Sequence, residues 1–129
     1  MAEAPTLFHI TYYNSRVGKI AIVTMDNGQD YKKPNTFGEE ALASLHKAIS
    51  KIDGDKDVKG MMLCGKHYIC AAGADLMQVP FINTFEQGRQ IGAAGHAAMK
   101  RIMDLKIPTL AAINGAALGG GLEISLYCN

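Results

Sequence analysis

The sequence lacks an excess of either charge: thirteen Lys and Arg stand against twelve Asp and Glu over 129 residues, a formal net charge of +1. So even a balance gives no polybasic surface, and neither nucleic acid nor a membrane is expected as a partner. Paired cysteines are lacking too. Cys64, Cys70 and Cys128 are odd in number and have neither zinc-site nor redox-dithiol spacing. They read as reduced, buried small hydrophobes of a cytoplasmic protein. His9, His46, His67 and His96 show no ligand spacing with Cys, Asp or Glu, so no metal site is expected. The opening MAEAPTLFHI has no basic head and no long apolar run, and does not read as a signal or transit peptide. The longest charge-free apolar stretch, 107–122, falls short of the ~20 residues of a membrane span. It is also broken by Pro108, Asn114 and four glycines. The sequence contains no internal repeat, low-complexity segment or linker. The expectation is a soluble chain.

What is there suffices for one modest core, since 48% of the residues are hydrophobic. The β-branched run VGKIAIVTM (17–25) predicts a buried strand, paired with LFHITYY (7–13) through a turn near Asn14 to Gly18. A polar loop follows to Pro34. Thr36 and Glu39 have capping-box spacing, and Leu42, Leu45, Ile49 and Ile52 recur at helical intervals, predicting a helix over 37–52. KGMMLCG (59–65) reads as a second buried strand, leading to a small-residue turn over 71–74. Thr84 with Gln87 opens a helix toward Leu105, with Ile91, Ala94, Ala98, Ile102 and Leu105 on one face. Gly92, Ala93, Ala94 and Gly95 in that helix predict the close approach of another backbone. TLAAIN (109–114) is a third buried strand, and a last helix follows it. Strands and helices alternate, so the chain is α/β.

Between that strand and that helix lie Gly119, Gly120 and Gly121. Each costs conformational entropy on folding, which points to something approaching the backbone closely. A phosphate loop beginning at Gly115 would need Lys where Gly121 stands and Ser or Thr where Leu122 stands. A dinucleotide fingerprint beginning at Gly119 would need glycine where Ile124 stands. Neither phosphate pattern is met. Open N–H groups at a helix start, with its dipole, remain as donors to a substrate carbonyl whose oxygen gains negative charge. A second donor is expected from CAAGAD (70–75), another small-residue turn at a strand end.

The segments YICAAGADLMQ and IPTLAAINGAALGGGLEISLYC, in this order, resemble the enoyl-CoA hydratase (crotonase) family. The resemblance runs from Lys19 to Asn129 and implies a spiral of β-β-α units. Carried over by position, the family's oxyanion hole falls on the backbone N–H groups of Ala74 and Gly120, and the first of two proton-handling glutamates on Glu123. The second glutamate would lie beyond Asn129. The resemblance further implies an acyl-CoA thioester as substrate, no separate cofactor, and a homotrimer or hexamer. Contacts to the coenzyme A part are expected from Lys33, Asn35, Thr36, Ala72, Gly73 and Asp75. Many members carry a basic residue where this chain has Leu76, Met77 and Gln78, which removes one such contact.

Hydration of a 2-enoyl-CoA in fatty acid degradation is the leading expectation, because Glu123 follows Gly120 by about one helical turn and so faces the same pocket. The alternatives are an isomerase of the same family, which commonly lacks a carboxylate at that position, and a non-catalytic acyl-CoA- or RNA-binding relative. Asp75 also reads simply as a helix N-cap. LEISLYCN halts in an apolar helix without a stop signal. Residues 1–129 are therefore expected to be the N-terminal part of a longer acyl-CoA domain, inactive alone and exposing Ile124, Leu126 and Tyr127.

Overall fold

The computed structural model describes residues 4–129. In chain order the elements are β1 (Leu7–Ser15), β2 (Gly18–Asp26), β3 (Thr36–Phe37), α1 (Glu39–Asp53), β4 (Val58–Gly65), β5 (Ile69–Ala71) and β6 (Gly73–Ala74). A 3-10 helix (Leu76–Phe81), α2 (Phe85–Met103), β7 (Thr109–Ala112), β8 (Ala116–Ala117) and α3 (Gly120–Leu126) follow. The fold is α/β, as the alternation of strands and helices in the sequence predicts.

The main sheet has the order β1-β2-β4-β7, with β1 antiparallel to β2 and the other neighbours parallel. Ala21, Val23 and Met25 of β2 alternate as fully buried residues, as a strand with one face on the core requires. α1 covers that face with Ala41, Leu45, Ala48, Ile49 and Ile52. Each large aliphatic group so enclosed stabilises the fold by roughly 1.5–3 kcal/mol. Met61, Leu63, Ile102, Leu105 and Ile124 complete the same cluster.

Several local expectations give way to tertiary pairing. Thr36 does not cap α1. It lies in β3, which pairs parallel with β6, Thr36 opposite Gly73 and Phe37 opposite Ala74. The N-cap is Gly38, without a side-chain bond. The small-residue turn over 71–74 is instead the end of β5 and the whole of β6. The third strand stops at Ala112, and as an edge strand it leaves Leu110 exposed. Ile124 is fully buried, so of the final helix's three named apolar residues only Leu126 is exposed, with Tyr127 half-buried.

The Thr84–Gln87 capping box is present with both of its reciprocal bonds. Downstream of it, α2 buries Ala98, Met99 and Ile102, while Ile91 and Ala94 are exposed. A Cβ added at Gly92 or Gly95 would meet nothing within 4 Å. No backbone of the described residues approaches those glycines.

Candidate active site

Two short ladders bring the glycine run to the AGAD segment. β5 pairs parallel with β8, Ile69 opposite Ala116 and Ala71 opposite Ala117, and Leu118 N donates to Ala71 O at 3.0 Å. At Gly119 the backbone takes φ +49°, a left-handed conformation that glycine adopts without penalty, and α3 begins. Gly121 lies against β5 so closely that a Cβ would stand 2.1 Å from Ala71 O. Two of the three glycines are thus explained by backbone geometry.

Gly120 differs. A Cβ there would fit at 3.4 Å from Gly73 Cα and 3.5 Å from the Phe37 ring, but it would also stand 3.7 Å from Ala74 N. The space it would fill lies beside a donor pair. As the first residue of α3, Gly120 has no acceptor for its N–H inside the helix. The bonds around it run from Gly121 N to Leu118 O and from Leu122 N and Glu123 N to Gly119 O, passing it by. Asp75 N donates to Phe37 O at 3.1 Å. Successive N–H groups of a strand point to opposite sides, so Ala74 N–H points away from β3. With only seven residues in α3, the donors act through their own N–H dipoles more than through a long helix dipole.

A cleft of about 190 Å³ collects these groups: Ala74, Gly120 and Glu123 share it with Phe37, Leu42 and the α2 residues Ile91, Gly92, Gly95, His96 and Met99. Gly92 and Gly95 therefore widen a cleft instead of admitting a backbone. Glu123 is about half exposed, and its Oε1 lies 3.7 Å from His96 Nε2. The Nδ1 of His96 is 3.2 Å from the Tyr127 hydroxyl. Histidine spacing alone does not single out His96. The register of α2 is the signal, because residues 91, 92, 95, 96 and 99 share one helical face.

The residues expected to touch coenzyme A are divided. Thr36 and Asp75 line a larger neighbouring cleft of about 470 Å³, with Gly38, Met77, Gln78 and Phe81. Asp75 also caps the 3-10 helix, Oδ1 accepting from Met77 N at 3.0 Å. Lys33 is exposed on the loop between β2 and β3. Ala72 N donates to Asn35 O, and Gly73 is buried with φ +99° against Gly120. Asn35 is a correction to the sequence reading. It is fully buried, donates to Met25 O and Cys70 O, and accepts from Asn27 N, leaving no surface for a ligand.

Lys66 is a buried cation that the sequence did not mark. Its ammonium donates to Asn27 Oδ1 and to the carbonyls of Gln29, Asp30 and Lys33. Burial pushes its pKa below the ordinary lysine value, opposed by Asp26 and Asp30. This side chain clips the loop between β2 and β3. Of the three cysteines expected to be buried only Cys70 is, Cys64 and Cys128 being half-buried, and burial raises the Cys70 and Cys128 thiols.

Residues 16–129 match the profile of the enoyl-CoA hydratase/isomerase family. Over 115 residues the chain is 36% identical to a short-chain-enoyl-CoA hydratase of Clostridium acetobutylicum, covering 87% of this chain and 42% of that protein. It is 37% identical over 111 residues to the fatty acid oxidation complex subunit alpha of Shewanella halifaxensis, covering 85% of this chain and 15% of the relative. The chain thus spans less than half the length of these relatives. The solved enoyl-CoA hydratase from Bacillus anthracis superposes with a TM-score of 0.77 at 27% identity, over 93% of this chain and 45% of that one.

Proposed function

Because the chain belongs to the enoyl-CoA hydratase/isomerase family, we propose that the whole protein adds water across the double bond of a 2-enoyl-CoA to give a 3-hydroxyacyl-CoA. The observation that carries this reading is the single cleft holding Ala74, Gly120 and Glu123. The thioester carbonyl oxygen accepts from the N–H groups of Ala74 and Gly120, which draws electron density toward it and makes C3 electrophilic. Glu123 takes a proton from water as the water oxygen bonds to C3. The electron pair of the C2–C3 bond moves to C2 and onto the thioester oxygen as an enolate, held by the same two donors. A proton delivered to C2 completes the addition, and its donor is the second glutamate implied by the family resemblance.

No cofactor is required, coenzyme A being part of the substrate. Thr36 and Asp75, in the larger neighbouring cleft, are proposed to flank the coenzyme A moiety, with Lys33 reaching its phosphates from the loop. The whole protein is a homotrimer or hexamer in this reading, working in the cytoplasm on fatty acid degradation. The exposed apolar groups Leu76, Met77, Val79, Phe81 and Phe85 support an assembly that covers them. The 129-residue chain alone is expected to be inactive.

Mixing the whole protein with crotonyl-CoA and following the enone absorbance tests the reaction. A steady loss of absorbance with formation of 3-hydroxybutyryl-CoA is expected. Turnover of a 3-enoyl-CoA to the 2-enoyl isomer without hydration would replace this reading by isomerisation.

A further inference from the structure

We propose that His96 is a positioning residue for Glu123: the Tyr127 hydroxyl donates to Nδ1, which keeps the neutral ring's proton on Nε2 and turns that N–H toward the Glu123 carboxylate. Glu123 and Tyr127 are four residues apart on α3 and its C-cap, so they lie on one face, one turn from each other. The His96 ring, coming from α2, spans the two, with Nε2 3.7 Å from Glu123 Oε1 and Nδ1 3.2 Å from the Tyr127 hydroxyl. An imidazole has one nitrogen for each partner, and the partner on one nitrogen fixes the tautomer seen by the other.

The separation to Glu123 exceeds a direct hydrogen bond. Both side chains are at least half exposed, so a small rotation of either closes it. The other charged groups near this face are already engaged. Lys100, one turn along α2, pairs with Asp104, and Arg101 donates to His46 of α1. Phe37 and Leu42 are the groups that β3 and α1 present to the cleft. Glu123 and Tyr127 are thus the titratable groups that face His96 among the described residues. An N–H directed at one carboxylate oxygen fixes the orientation in which the carboxylate meets the attacking water.

The kinetic consequence rests on the hydratase reading, whereas the ring tautomer does not. In the whole protein, nitrogen NMR of labelled histidine should show neutral His96 with its proton on Nε2, and Tyr127→Phe should shift the tautomer toward Nδ1–H. In crotonyl-CoA hydration, His96→Ala should lower kcat about tenfold with KM within about twofold. His96→Gln, which keeps a neutral N–H, should retain more activity than His96→Ala. A wild type that hydrates while His96→Ala keeps its kcat would overturn the positioning role and leave the hydratase reading standing. A wild type that does not hydrate would remove that reading, and the tautomer would still decide the relay. A proton on Nδ1, or a tautomer indifferent to Tyr127→Phe, overturns it.

Discussion

Replacing Glu123 by Gln preserves the length and shape of the side chain while removing its capacity to accept a proton. In the whole protein this change should lower kcat on the order of 10²–10⁴-fold. Acyl-CoA affinity, measured by calorimetry, should stay near that of the wild type. A kcat within a few-fold of wild type would remove Glu123 from the reaction. The adjacent glycines separate folding from chemistry in the same way. At Gly121 a methyl group would collide with Ala71 O, and Gly121→Ala should destabilise the protein on the order of 3 kcal/mol in urea unfolding. At Gly120 the methyl meets its neighbours at ordinary contact distance, so Gly120→Ala should fold. It would still crowd the donor pair, and loss of one oxyanion donor typically costs ~3 kcal/mol of transition-state stabilisation. A fully active Gly120→Ala protein would mean that this glycine serves packing alone.

Elements carried by a local pattern were legible in the sequence. The β-branched alternation of β2 and the Thr84–Gln87 box of α2 need only their own neighbours to form. Thr36 and Glu39 have the same spacing as a true box, yet Thr36 is taken by a strand partner far along the chain, at Gly73. The same limit applies to the candidate site. Ala74, Gly120 and Glu123 could be placed from the two motifs and their resemblance, whereas His96 enters only through the packing of α2 beside α3. The burial of Asn35 is not legible, because a polar residue in a polar loop gives no sign that three buried partners await it. The loop's dependence on Lys66 is testable. Lys66→Met removes the ammonium from Asn27 Oδ1 and three carbonyls; Asn27 Oδ1, Asp30 O and Lys33 O keep Gln29 N, Lys33 N and Asn27 Nδ2 as donors, whereas Gln29 O loses its partner, and an acceptor left unsatisfied costs about 1–3 kcal/mol. After relaxation of the loop, a loss on the order of 2 kcal/mol in urea unfolding is expected. Unchanged stability would show that the loop holds its path without the clip.

For the whole molecule, the unpartnered apolar surface sets the expectation. Leu76, Phe81, Phe85 and Leu126 are each more than two-thirds exposed in these 129 residues, an apolar surface that further parts of the protein or a partner subunit would cover. In the proposed reading, light scattering on the whole protein should give a trimer or hexamer mass, and a monomer at micromolar concentration would contradict that assembly. The ladders that align the donors are of another kind: β3–β6 and β5–β8 are two or three residues long, yet each joins segments far apart along the chain. Closing such loops costs entropy that so few bonds barely offset until the main sheet is already in place. Ala74 is therefore expected to meet Gly120 late in folding. During synthesis the pair cannot form before Gly120 has cleared the ribosome and β8 has docked, so in the proposed reading a nascent or partly folded chain is expected to have no means of capturing a thioester.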